Sequence, residues 1–129
     1  MVASLPKGWI ETTLGEIAEP LQARALPSAY PAEAYVGLEH VEAHTMTLLQ
    51  QGIARDVRSL SIPFSKGDIL YGKMRPYLNK IWIAEFGGLC SSEFLVFPNH
   101  RWLNNRFLAL RMNADPSHVL GSDSRLHFR

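Results

Sequence analysis

From Gly72 to Lys80 the chain reads Gly-Lys-Met-Arg-Pro-Tyr-Leu-Asn-Lys, and its side chains suit one kind of chemistry. Lys73, Arg75 and Lys80 are cations, and Tyr77 and Asn79 are set among them as hydrogen-bonding groups. Such a cluster, held out by a rigid strand, fits an anionic partner with readable edges, such as duplex DNA. A charged hairpin with solvated cations has the same composition, so residue chemistry alone leaves both readings open. Arg75 has a third use, as a structural ion-pair partner of Glu85 or Glu93.

The other reactive residue types fall into weaker patterns. His40 and His44 lie four apart beside Glu39. On a helix that spacing would place two imidazoles on one face, as in zinc proteases. The motif order does not match, and the segment reads as strand and loop, so surface histidines are the simpler account. Cys90-Ser91-Ser92-Glu93 supplies nucleophile types, but no context for a Cys–His or Ser–His–Asp set accompanies it. A turn entering a strand, with Cys90 buried as a small apolar residue, is favoured. Gly67, Gly72, Gly87 and Gly88 make neither a phosphate-binding loop nor a dinucleotide fingerprint. No methyltransferase or nuclease motif is present. The sequence therefore predicts a non-catalytic chain with no metal site and no cofactor of its own. Tyr71, Tyr77 and Trp82 could stack on bases. Tyr71 and Trp82 read as core residues on strands, which leaves Tyr77, beside Pro76 in a turn, as the exposed candidate.

The elements that must position the cluster are mostly strands. Lys66-Gly67-Asp68 is turn chemistry, because Gly67 tolerates positive φ and Asp68 can bond nearby backbone. Asp68–Lys73 and Lys80–Phe86 are the strongest predicted strands, the second carrying the β-branched and aromatic run Ile81-Trp82-Ile83. Ala34–Val41, a weaker Thr45–Leu49 stopped by Gly52, Ser59–Pro63 and Glu93–Phe97 complete the β signals, with Gly87-Gly88 as a turn. Thr13 and Glu16 form a capping box, and Leu14, Ile17, Ala18 and Leu21 follow at helical spacing, limited by Pro20. Residues 22–32, with Pro27 and Pro31, read as a loop. Asn99 can cap a second helix over 101–112, with Trp102, Leu103, Phe107, Leu108 and Leu110 on a broad apolar face. The tail, 113–129, reads either as a short helical turn over Ser117–Leu120 or as a frayed end carrying Arg125, His127 and Arg129. The expected fold is α+β: a twisted, mostly antiparallel sheet with an N-terminal and a C-terminal helix packed on it.

Composition sets the outer limits. A chain of 129 residues, 47% hydrophobic and 19% charged, is one ordinary folded domain. No apolar run reaches the roughly 18 residues of a membrane helix, and no signal-peptide core opens the chain. Cys90 is alone, so no intrachain disulfide forms, which fits a reducing cytoplasm. The formal net charge is only +1, but its distribution is uneven. Residues 1–50 hold two cations against six carboxylates, residues 66–80 four against one, and residues 101–129 five against two. For steering a polyanion, segregation of this kind matters more than the total.

An ordered set of motifs adds a family resemblance. Leu5-Pro6-Lys7-Gly8-Trp9 and Thr13-Leu14-Gly15-Glu16-Ile17 open the chain, and Tyr35-Val36-Gly37-Leu38-Glu39-His40-Val41 follows. Next comes Phe64 through Lys80, then Gly88-Leu89-Cys90-Ser91-Ser92-Glu93-Phe94-Leu95-Val96-Phe97. In that order they resemble a target recognition domain of the DNA specificity subunit of type I restriction–modification systems, over residues 5–112. The resemblance implies a recognition domain at 1–112 and a tail at 113–129 that stops before the family's conserved helix. On that reading the chain is half or less of a specificity subunit. It also implies sequence-specific reading of one half of a bipartite duplex target by a non-catalytic subunit. That subunit would partner a methyltransferase (modification) subunit, which uses S-adenosylmethionine, and a restriction subunit, which uses ATP and Mg²⁺. Recognition residues differ between family members, so Lys73, Arg75, Tyr77, Asn79 and Lys80 stand as DNA-contact candidates on chemistry and placement alone. The competing reading is an interaction module that binds the methyltransferase subunit without reading DNA.

Overall fold

A computed structural model describes residues 10–13, 20–99, 105–114 and 125–128. Within them lie nine short strands: β1 (Ile10–Thr13), β2 (Ala34–Val36), β3 (Gly52–Ile53), β4 (Ser61–Phe64), β5 (Ile69–Gly72), β6 (Ile81–Ile83), β7 (Gly88–Ser91), β8 (Phe94–Phe97) and β9 (Arg125–Phe128). A helix, α1, spans Asn105–Ala114. The strands form three sheets, ordered β1-β9, β3-β2-β7-β4 and β6-β5-β8. All pairings are antiparallel except β2 with β7, which is parallel. This is an α+β arrangement. No helix among the described residues is long and apolar enough to cross a membrane.

The three-stranded sheet is the centre of the molecule because β5 is apolar on both faces. Ile69, Leu70 and Tyr71 are all fully buried. Side chains alternate along a strand, so Ile69 and Tyr71 share one face and Leu70 takes the other. On the first face they join Ile81 of β6 and Phe97 of β8, and Leu108, Ala109 and Met112 of α1 cover them. On the second face Leu70, Trp82, Phe94 and Val96 meet Val36, Ile62, Phe64 and Cys90 of the four-stranded sheet. The result is a stack of four-stranded sheet, three-stranded sheet and helix. Burying a side chain such as Ile69 or Leu70 contributes about 1.5–3 kcal/mol, so this shared strand carries much of the stability.

Several local expectations change once the elements are seen together. The three sheets replace the single central sheet expected. The strand expected over Ala34–Val41 stops at Val36. Gly37 opens a 3₁₀ turn over Leu38–His40, and the Gly37 N–H donates to His40 Nδ1 at 2.9 Å. The Thr45–Leu49 strand is instead a loop closed by a single bridge, Val41 to Leu48. His44 and Met46 have φ of 69° and 59°, values no β ladder accommodates. Gly52, expected to break a strand, starts β3 opposite Tyr35. Gly88, expected in a turn, begins β7. Of the tail, 125–128 is a strand paired with 10–13, not a frayed end. The core of the N-terminal helix expectation, 14–19, lies outside the described residues, as do 101–104 and 115–124.

Candidate nucleic-acid interface

The loop from Lys73 to Lys80 joins β5 to β6, and its neck is closed by backbone bonds. Gly72 N–H donates to the Lys80 carbonyl at 2.9 Å, and Lys73 N–H to the Glu93 carbonyl at 3.0 Å. Gly72 leaves room at this neck for Leu38, whose Cδ1 would stand 2.6 Å from a Cβ there and would have to shift to accommodate one. Beyond the neck the chain turns through a 3₁₀ segment over Pro76–Leu78, with Leu78 N–H donating to the Arg75 carbonyl at 2.9 Å. Arg75 and Asn79 flank that segment, both with φ of 52°. Asparagine enters the left-handed region readily, whereas arginine does so at a cost of about 1–2 kcal/mol. Strain of this kind clusters at functional sites.

The five candidates divide by exposure. Lys73 and Arg75 are exposed, and Tyr77 is 71% exposed, the largest value among the exposed large apolar and aromatic side chains of the described residues. Met74, 51% exposed, sits among them. Among the described residues no carboxylate pairs with Arg75. Its two expected partners are engaged elsewhere: Glu85 Oε1 accepts from Trp82 Nε1–H at 3.1 Å, and Glu93 Oε1 from Ser91 Oγ–H at 3.3 Å. Asn79, by contrast, is buried, and its amide donates to the carbonyl and Oδ1 of Asn113 on α1, at 2.6 and 2.7 Å. Lys80 is half-buried, and its Nζ donates to the Leu38 carbonyl at 3.0 Å. Lys73, Arg75 and Tyr77 therefore form the presented set, with Asn79 and Lys80 beneath them.

Two further features bear on the charge pattern. Lys66 belongs to the turn before β5, so a four-residue strand of about 13 Å separates it from the loop. It lines a groove of about 940 Å³ with Met46, Ile83, Glu85, Arg106 and Leu110. The second feature is a neighbouring loop that sequence reasoning missed. His44 N–H donates to the Asn79 carbonyl at 3.1 Å, which sets the exposed His44, Thr45 and Thr47 beside the 73–80 loop. No local signal announces that proximity.

The catalytic alternatives are also located. Cys90 is fully buried in β7, and burial pushes its thiol up to about 12, so the nucleophilic thiolate is strongly disfavoured. Ser91 Oγ is held by Glu93 and no histidine bonds it among the described residues. His40 Nδ1 accepts from the Gly37 N–H, and its Nε2 lies 3.7 Å from Glu39 Oε1. Burial also raises Tyr71, whose hydroxyl lies in the core with no partner among the described residues, and Tyr35, whose hydroxyl bonds Ser91. Among the described residues no three His, Cys, Asp or Glu side chains converge as a metal site would need.

Comparison with known proteins places this geometry in context. No protein-family model matches the chain. It is 30% identical over 131 residues to the type I restriction enzyme EcoDI specificity subunit of Escherichia coli, an alignment covering 91% of the chain and 29% of that protein. The chain thus spans under a third of the length of the curated relative it matches. A solved chain from the type I R-M system, studied for complex assembly and conformational transition, superposes with a TM-score of 0.81 over 99% of this chain and 40% of its own length. At 21% identity that likeness is one of fold. The HsdS subunit of Thermoanaerobacter tengcongensis superposes with a TM-score of 0.67 at 26% identity, over 82% of this chain and 29% of its own. The chain is thus similar in sequence to one segment of a type I specificity subunit and shares its fold with solved chains of type I R-M systems.

Proposed function

We propose, from this homology to type I specificity subunits, that the chain reads one half of a bipartite duplex DNA target, with the 73–80 loop as its contact surface. The observation that carries the reading is the contrast within the loop: three presented side chains with DNA-reading chemistry stand on a base that Asn79 and Lys80 tie to α1 and Leu38. In this reading Lys73 contacts phosphate and sets register. Arg75 reaches phosphate or a guanine edge, since a guanidinium can serve either, and phosphate is the preferred assignment. Tyr77 offers a ring and a hydroxyl to base edges or sugars. Asn79 and Lys80 support these contacts from below. The chain itself performs no chemistry on DNA. Methylation and cleavage belong to the methyltransferase and restriction subunits with which the longer subunit would assemble, inside the cell.

The test is selection from a pool of random-sequence duplexes, followed by binding of the enriched and an unenriched duplex across a salt series. A short enriched motif, with affinity that falls steeply as salt rises, is expected of a phosphate-anchored reader. An interaction module that captures the methyltransferase subunit without reading DNA would enrich nothing. Arg75→Ala then separates its two roles. A base contact predicts relaxed preference at one position, at about 1–3 kcal/mol, whereas a phosphate contact weakens all sequences alike.

A further inference from the structure

Asn79 is the meeting point of three separate elements. Its side-chain amide donates to the Asn113 carbonyl at 2.6 Å and to Asn113 Oδ1 at 2.7 Å, across 34 residues of sequence. Asn113 is in the last turn of α1, where carbonyls have no partner inside the helix. The backbone carbonyl of Asn79 accepts from His44 N–H, which fixes the 42–49 loop alongside. The residue is 7% exposed, and its own Oδ1 is buried with no partner among the described residues. A DNA-reading asparagine needs that edge accessible, so the geometry argues for a different use of the side chain.

We infer that Asn79 is a positioning residue: it clamps the 73–80 loop to α1 and to the His44 loop, and so fixes the pose in which Arg75 and Tyr77 meet DNA. The inference rests on the DNA reading above and goes beyond it by naming what sets sequence preference. Base-edge hydrogen bonds need their donors placed within about 0.5 Å, whereas phosphate contacts tolerate more freedom. The clamp therefore controls discrimination between sequences more than overall attraction to DNA. Arg75 and Asn79, both left-handed, bracket the 3₁₀ turn, so releasing one end frees the segment that carries Tyr77.

Two variants of the full 129-residue chain separate the clamp from the backbone conformation. Asn79→Gly keeps easy access to positive φ and removes the amide. Asn79→Asp keeps the shape but turns an acceptor toward the Asn113 oxygens. Both variants keep the residue-79 carbonyl that His44 N–H bonds, so exchange there reads the loss of the side-chain tie to α1. Without DNA, amide hydrogen exchange at His44 and Leu78 is expected to quicken roughly tenfold in both variants, the worth of one side-chain hydrogen bond to Asn113 near 1.4 kcal/mol. Exchange at Ile69 and Leu70 should hold, which shows that the fold survives. In selection from the random-duplex pool, both variants should lose most of the parent's enrichment while the salt dependence on an unenriched duplex stays the same. Asn113→Ala, which leaves the carbonyl acceptor in place, should fall between parent and Asn79→Gly. Unchanged exchange at His44 and Leu78 would overturn the clamp. Faster exchange with the parent's motif still enriched would overturn its role in specificity. No enrichment by the parent would overturn the DNA reading and the specificity half of this inference, leaving the exchange result to decide the clamp.

Discussion

The two ends of β5 solve the same geometric problem in opposite ways. Before the strand, Ser65–Asp68 turns with a glycine at positive φ, Gly67 at 91°, and spends its one carboxylate on the backbone. Asp68 Oδ2 accepts from Ser65 N–H at 2.8 Å and Oδ1 from Asn99 N–H at 3.0 Å. Asn105 of α1 closes that end by donating to the Gly67 carbonyl at 2.9 Å. After the strand, the 73–80 loop reaches positive φ without glycine, at Arg75 and Asn79. It leaves Lys73, Arg75 and Tyr77 presented to solvent. One end ties its carboxylate into the backbone and stabilises the fold; the other holds strain and displays side chains. An asparagine pins α1 at each end, Asn105 at the first and Asn79 at the second, so the helix forms the common brace.

The contrast can be broken from the middle outward. The largest effect belongs to the strand itself: Ile69→Ala should cost about 2–5 kcal/mol in thermal or chemical unfolding. Ile83→Ala, at a half-buried position opposite it, should cost less. Equal losses would mean that the helix-facing cluster is not centred on β5. At the stabilising end, Gly67→Ala adds a Cβ 2.9 Å from Asn99 Nδ2 on a backbone at 91°, and should destabilise by about 1–2 kcal/mol. At the displaying end the sign should turn. Arg75→Gly relieves left-handed strain, so unfolding free energy should hold or rise by up to about 1 kcal/mol while DNA binding falls. A loss comparable to that of Gly67→Ala would show that Arg75 serves the fold.

A further effect, confined to alkaline pH, comes from the buried thiol of β7. Cys90 is raised from 9.0 to about 12 by burial, so the folded state holds the thiol proton more tightly than the unfolded state. Its contribution is complete below pH 9 and is lost as pH rises toward 12. The unfolding free energy of the parent should therefore fall more steeply over that window than that of Cys90→Ala. Parallel curves would mean that the thiol titrates alike in both states.

The strands around this contrast are legible in the sequence because their signals are local. Ile69-Leu70-Tyr71 and Ile81-Trp82-Ile83 are short, apolar, β-favouring runs, and each is preceded by a charge. The Gly67–Asp68 turn follows from glycine's freedom and an aspartate's reach. What the sequence hides is long-range. Asn79 and Lys80 look like exposed polar residues until α1 and Leu38, 34 and 42 residues distant, are brought against them. The stop at Val36 is hidden for a related reason, since the apolar pattern continues through Leu38 and Val41 while the backbone turns around His40. Polar residues at a loop's base and at its tip have the same letters, and only packing separates them.

The division between base and tip is tested most directly by the triple variant Lys73→Ala, Arg75→Ala, Tyr77→Ala, measured for unfolding and for duplex binding over a salt series. The account predicts an unfolding midpoint near that of the parent. It also predicts duplex affinity weakened by at least about tenfold, and a salt slope flatter by about one unit for each phosphate that the variant no longer neutralises. An intact fold with affinity and salt slope unchanged would contradict it, and would place the DNA interface away from the 73–80 loop.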